Sequence, residues 1–473
     1  MSEFSQALEC GIYKSGLTEN QLAKISGFTR SYIALMKNGQ RVSPDTVKLK
    51  KLLEALSLSA YEYENIWNAY LKARYGEDTY KMHMCAISFI ESFGRISTIS
   101  IKSDFFHDIP DINTINNRMD LEVFVKAVLE QEALTEGGYV RMIMQEDFSI
   151  LYTMLPSVCR SNSKLKVEHI ICLEGADGDD AKNRIRNLEI LKMLMPVFLA
   201  GNENGYDVYY YYDKISSHFA STVLMPYMIM TSRYVINISV DLEYAVVSRE
   251  KDTHWLFEQL FIQRKKSCRK MINRIPTGIN IFEFYAQNRP QSDQIFTIGS
   301  QPCFGTFPVD SMVHNYLTDD NRGAINMLLN VLEDNRRLYG GMKLVTSYFT
   351  KSGIRRLMED GIVDELPKEI YTSLDYGDRC QLLKMLIHAI KSQNYEAYLL
   401  DDQKIIYPHQ LLISAYSMTD VNVVYMSEHT EARFALREQS VTRILFDFLQ
   451  GMKETSIAAS KEETLAYLES FLK

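Results

Sequence analysis

The stretch Leu17–Gly39, LTENQLAKISGFTRSYIALMKNG, constrains this chain more than any other. Thr18 is a good N-cap, and Gln21 three residues later completes a capping box, so a helix starts there. Leu22, Ala23 and Ile25 give that helix an apolar side. Gly27 breaks it, because only Gly takes φ > 0 without strain. Thr29 caps a second helix, on which Ile33 and Met36 face inward at i, i+3 spacing. Asn38-Gly39 ends it with the usual C-terminal punctuation. Two short helices about a Gly-containing turn form a helix-turn-helix, whose second helix enters the major groove of DNA.

The flanking sequence supports a compact helical head over residues 1–76. Residues 3–15 predict a first helix packing Phe4, Leu8 and Ile12 beneath the motif. Ser43-Pro44 predicts another, with Ser as N-cap and Pro at the first helical position. A further helix from about Ala60 to Tyr75 carries Tyr63, Ile66, Trp67, Tyr70 and Leu71 on one side, and Gly76 marks a boundary.

On these residues the head resembles the XRE family, the phage-repressor/Cro type of helix-turn-helix. The matching positions are Leu17-Thr18, Leu22-Ala23, Gly27, Thr29-Arg30-Ser31-Tyr32-Ile33, Asn38-Gly39, Pro44 and the apolar set Leu49, Leu52, Leu53, Ala55 and Leu56, within about residues 5–70. The resemblance implies binding to double-stranded DNA through Thr18, Thr29, Arg30, Ser31, Tyr32, Lys37, Asn38, Gln40 and Arg41. Arg30, Ser31 and Tyr32 would meet base edges in the first turn of the reading helix. Arg30 is suited to the O6 and N7 acceptors of guanine, and Ser31 to a base or a phosphate. Lys37, Asn38, Gln40 and Arg41 would lie near the backbone, positioning without specifying. Two positions depart from the family pattern: Glu19 stands where members often carry Gln, and Lys37 where they often carry Glu. Phosphate repels the first and attracts the second, so docking detail should differ.

Charge distribution agrees with a DNA-binding head. Residues 1–76 hold ten Lys/Arg against seven Asp/Glu, while the remainder holds 42 against 53. Binding rests on local positive charge, and an acidic body stays off the duplex. At 473 residues the chain should contain two to four units. No apolar run approaches a membrane span, and the polar N-terminus predicts no signal peptide. The seven cysteines are scattered, without CxxC or a Cys/His cluster, which argues against a zinc site or a disulfide framework. A cytoplasmic and bacterial setting is expected.

Beyond the head, residues 77–136 read as a helical connector, with helices at Met82–Phe93 and Leu121–Leu134 that could build a dimer contact. From 137 to 280 strand-like and helical segments alternate, predicting an α/β lobe. Its strands fall at Tyr139–Met144, Val167–Leu173, Tyr206–Tyr212, Tyr227–Thr231, Tyr234–Val240 and Tyr244–Val247, and a helix at Thr253–Ile272 closes it. After a second connector at 281–340, residues 341–473 repeat the pattern. Ile190–Leu194 is echoed by Leu382–Leu386, Tyr206–Tyr209 by Tyr395–Tyr398, Pro226 by Pro408 and Leu256–Leu260 by Leu445–Leu449. The offsets are 192, 189, 182 and 189, in unbroken order. This suggests tandem duplication of one lobe, with two lobes about a pseudo-two-fold enclosing a ligand cleft. The fold class is therefore multidomain: an all-α five-helix head, a helical connector, then an α/β region of two repeated lobes.

Little in the body points to catalysis. No GxGxxG follows a strand, and GxxxxGK[ST], HExxH and GxSxG are missing. His169 sits in an apolar strand pattern and reads as a satisfied core histidine. The paired lobes resemble the phospholipase D architecture, yet that family needs HxK followed by Asp, and neither lobe has HxK. The resemblance thus implies a fold without that activity. Candidate ligand residues are Tyr209 and Tyr211 of the four-tyrosine strand, Asp213 at its end, and Tyr398 and Asp401 in the second lobe. The expectation is a non-enzymatic, cofactor-free transcription regulator. It would bind a palindromic operator as a homodimer, with heads about one helical turn (~34 Å) apart, and answer to a small-molecule or peptide effector. The alternatives are an enzyme, or a degenerate phospholipase-D-like protein, targeted by its head, and a peptide sensor of helical repeats, which the strands disfavour.

Overall fold

A computed structural model describes residues 2–96, 109–175, 180–200, 205–214, 223–276, 292–304, 341–364 and 371–472 apart from 393, 428 and 429, with scattered positions elsewhere between 277 and 340. The second connector read at 281–340 thus lies largely outside the described residues.

The head comprises α1 (Glu3–Ser15), α2 (Glu19–Ser26), α3 (Arg30–Lys37), α4 (Thr46–Ala55) and α5 (Ala60–Tyr75). Ser2, Thr18, Thr29, Asp45 and Ser59 each accept the backbone N–H three residues on, satisfying a first turn that has no helical partners. Leu8, Leu22, Ile33, Met36 and Trp67 fill the core. Two local expectations are corrected. α4 starts after Asp45, whose carboxylate reaches the Lys48 N–H at 2.9 Å, and not at Pro44; the Ser43 hydroxyl is engaged by the Asp45 backbone. Ile25 is exposed, because Leu22 and Ser26, one turn apart, form the inward line of α2.

α6 (Glu77–Ile96) follows Gly76 directly and enters the body. Its apolar face of Phe89, Ile90 and Phe93 is fully buried within the chain, so that face is not open for the dimer contact read there. After β1 (Thr114–Ile115) and α7 (Arg118–Ala133), lobe 1 runs β2 (Tyr139–Ile143), α8 (Ser149–Ser161), β3 (Lys166–Glu174), α9 (Ala181–Ala200), β4 (Tyr206–Asp213), β5 (Tyr227–Met230), β6 (Val235–Ile238), β7 (Ala245–Ser248) and α10 (Lys251–Lys266). The chain leaves α10 at Ser267. The stretch expected to extend that helix to 272 instead forms β8 (Arg269–Lys270) and starts β9 (Ile272–Ile275), where pairing with a distant strand overrides helical spacing.

Lobe 2 contains β10 (Gln294–Gly299), β11 (Leu344–Phe349), α11 (Lys351–Asp360), α12 (Tyr376–Lys391), β12 (Tyr395–Leu399), β13 (Leu411–Ser417), β14 (Asp420–Met426), β15 (Glu431–Leu436), α13 (Gln439–Gly451) and α14 (Lys461–Glu469). The sheets are ordered β1-β7-β6-β5-β2-β3-β4-β8 and β12-β11-β10-β13-β14-β15-β9. Strand for strand, β2 to β7 correspond to β10 to β15: three parallel strands, then an antiparallel meander starting beside the first. All four sequence echoes fall on equivalent elements: α9 with α12, β4 with β12, the approaches to β5 and β13, and α10 with α13. Lobe 2 also begins earlier than 341, since β9 and β10 belong to its sheet.

The lobes do not meet about a pseudo-two-fold. The α9 face of lobe 1 packs on the α13 face of lobe 2, which are non-equivalent surfaces. Phe198 of α9 lies edge-on to Phe434 of β15, ring centroids 4.9 Å apart, and one apolar core spans both sheets. At this seam buried Glu438 accepts the N–H groups of Ser440 and Val441 at the start of α13, the Ser440 hydroxyl at 2.6 Å and the Tyr212 hydroxyl of lobe 1. Asn187 of α9 donates to Ser440 Oγ at 3.0 Å. The result is a stack of α10, first sheet, shared helices α6, α9 and α13, second sheet, and finally α12 with α14.

Candidate nucleic-acid interface

The surface expected to meet DNA is built by the turn from α2 to α3. Gly27 takes φ +76°, so the chain reverses without strain. Thr29 Oγ1 accepts the Tyr32 N–H at 3.2 Å and fixes where α3 begins. Arg30, with 68% of its side chain exposed, and Ser31 then project outward from the first turn, while Ile33 and Met36 anchor the opposite side. Asn38, Gln40 and Arg41 are exposed in the tight turn that follows.

Four residues assigned to this surface have other occupations. Thr18 and Thr29 are helix caps. Tyr32 stacks on Phe28, centroids 5.4 Å apart, and donates to the Val42 carbonyl at 3.3 Å, which positions the loop behind the reading helix. Lys37 is half-buried and pairs with Glu19 at 2.9 Å, and Arg30 approaches the same carboxylate at 3.5 Å. The two departures from the family pattern therefore neutralise each other. The hydrogen bond from Lys37, with Arg30 adding, holds the Glu19 carboxyl below the usual carboxylate range.

The back of the head is fastened to lobe 2. Arg74 of α5 pairs with Glu454 at 2.6 Å, and the Tyr75 hydroxyl donates to the same carboxylate. Arg74 also donates to the Tyr70 hydroxyl at 2.6 Å, which in turn donates to the Ser43 carbonyl at 2.8 Å in the loop after α3. Lys404 bonds Glu64 at 3.0 Å. None of these contacts uses Arg30, Ser31, Asn38, Gln40 or Arg41, and all five are exposed among the described residues.

Residues 13–63 match the Helix-turn-helix family model HTH_3. The head is an XRE-type helix-turn-helix domain. No curated protein matches the chain. In this XRE-type head, the chain from Ser43 through Tyr70 and Arg74 to Glu454 links the loop behind the reading helix to the body. Sequence reading missed it; the one signal is the i, i+4 spacing of Tyr70 and Arg74 on α5.

The ligand residues proposed for the lobes do not converge. Tyr209 and Tyr211 lie on the outer face of the first sheet beneath α10, with Lys265 and Arg264 seated 4.7 and 4.0 Å over their rings. Asp213 is exposed and accepts its neighbour's backbone N–H, from Lys214 at 2.7 Å. Tyr398 stacks on Tyr348 against the inter-lobe core, and Asp401 caps its own turn through the Gln403 N–H at 3.1 Å. The cause is the non-equivalent stacking: equivalent strand faces point to different layers. Ring nitrogens of His169 face the Tyr206 hydroxyl at 2.9 Å and the Met144 carbonyl at 3.2 Å, which makes it a satisfied core residue.

A cleft of about 680 Å³ instead opens where the head joins the body. Tyr75, His83, Arg184, Phe296, Arg443 and Glu454 are on its wall. Among the described residues no group of His, Cys, Asp and Glu is placed to hold a metal ion, and no helix is long and apolar enough to cross a membrane.

Proposed function

We propose that this chain is a sequence-specific transcription regulator that binds double-stranded DNA as a homodimer, with a non-enzymatic two-lobed body that senses an effector. The observation carrying the reading is the outward-facing, exposed Arg30-Ser31 turn of an XRE-type domain whose rear is fastened to the body. An exposed Arg at the start of a reading helix suits bidentate recognition of guanine. The sensing part is supported by the junction cleft, which shares Glu454 and Tyr75 with the link to the loop behind α3. A small polar molecule bound there would compete for Glu454 and shift the head against the body. The absence of HxK from both lobes argues against phospholipase-D-type activity.

The test is fluorescence anisotropy with operators selected from random DNA by the full chain. Arg30→Ala should weaken the selected site by about 1–3 kcal/mol and relax preference at one base pair. Equal affinity of parent and variant for the selected site refutes the reading.

A further inference from the structure

Duplication of the lobe provides an internal comparison of equivalent faces. In lobe 2 the face made by α13 and β15 is sealed: Ile444, Leu445, Phe448 and Phe434 are buried under α6 and under α9 of lobe 1. Among the described residues, the same face of lobe 1, made by α10 and β7, has no lobe against it. On α10 only Phe261 is buried, while Trp255 is 63% exposed, Leu256 48% and Leu260 47%, with Ile262 exposed beside them. Tyr244 and Val246 are exposed at β7, on the side of the sheet that α10 covers. Isolated apolar residues on a surface are ordinary, whereas a cluster on one face marks an interaction site.

We infer that this face is the homodimer interface, and that its occupant is α10 of a second copy lying antiparallel about a two-fold axis. Charge selects the occupant. Asp252 is exposed near the start of α10 and Lys266 near its end, seven residues either side of Gln259. Two α10 helices crossing antiparallel at Gln259 bring Asp252 of each copy to Lys266 of the other, while the apolar cluster lies between them. An isologous contact of this kind closes after two copies. A 16-residue helix is about 24 Å long, so the helix pair alone is small; the exposed part of β7 extends it towards the roughly 800 Å² per partner of a stable interface. The inference rests on the regulator reading only for its biological purpose, because its test contains no DNA.

Sedimentation equilibrium of the full chain at micromolar concentration tests it. The parent should be a dimer. Leu256→Asp with Leu260→Asp should give a monomer with an unchanged circular dichroism spectrum, since both side chains are exposed, and Met119→Asp with Val123→Asp on α7 should stay dimeric. Asp252→Lys and Lys266→Asp should each weaken the dimer at least tenfold. Combining both in one chain, or mixing the two single variants, should restore it. A monomeric parent, a larger assembly, a dimer indifferent to the α10 changes, or charge variants that do not complement each other would overturn the assignment.

Discussion

In the free protein Glu19 holds Lys37 at 2.9 Å and Arg30 at 3.5 Å, so two cations at the reading helix are already partly neutralised. A half-buried pair at the surface contributes on the order of 1 kcal/mol, little enough for a phosphate to displace it. Glu19→Gln should therefore tighten binding to non-specific DNA and steepen the slope of log affinity against log salt by about one unit, as Lys37 becomes free for phosphate. Titrations between low and moderate salt measure this, and an unchanged slope contradicts it. Histidine sets a second residue-scale expectation. Burial lowers His169 and His83 to about 4. Both stay neutral in the fold while the unfolded chain takes up protons below its ordinary value near 6.5. The histidine contribution to stability should thus fall as pH drops from about 6.5 towards 4 and change no further below, with a limiting slope of about 1.4 kcal/mol per pH unit for each histidine. Urea unfolding across that window measures the slope, and His169→Phe should make it shallower even though it removes a partner from Tyr206.

At the scale of elements, the inter-lobe seam depends on α9. Phe198 is almost fully buried against Phe434, and Phe198→Ala should cost about 3–5 kcal/mol in chemical denaturation, far more than truncation of the exposed Leu256. The elements themselves were legible in sequence. Caps at Thr18 and Thr29, the Gly27 turn and the inward Ile33 and Met36 are local signals, and the structure has each of them. The duplication was legible too, because α9 and α12 keep the same apolar run. How the lobes stack was not. Ile170, Ile171, Cys172 and Leu173 of β3 are all buried, so no alternation marks which face of the sheet turns towards the other lobe. Tyr209 and Tyr211 were for that reason assigned to a cleft that the stacking does not form. Contacts between distant segments were invisible for a different reason. Arg74 meets Glu454 and Glu19 meets Lys37 across loops whose geometry no local spacing specifies.

For the whole molecule, the head is held through Arg74 and Tyr75 on Glu454, just after α13, and through the Lys404–Glu64 pair, while α10 lies on the far side of the first sheet. A dimer formed through α10 therefore keeps its two heads apart and relates them by the two-fold axis. Sites selected from random DNA should accordingly show two separated, inverted half-sites, and a single isolated half-site would contradict an α10-mediated dimer. The central claim, that the first turn of α3 lies against base edges, is tested most directly by a photo-cross-linking side chain introduced at position 31 of the full chain. On its selected DNA the account predicts cross-links to bases within each half-site from position 31, and none from the same side chain at the exposed position 123 of α7. Absence of base cross-links from position 31, with cross-links arising from the lobes, would contradict it.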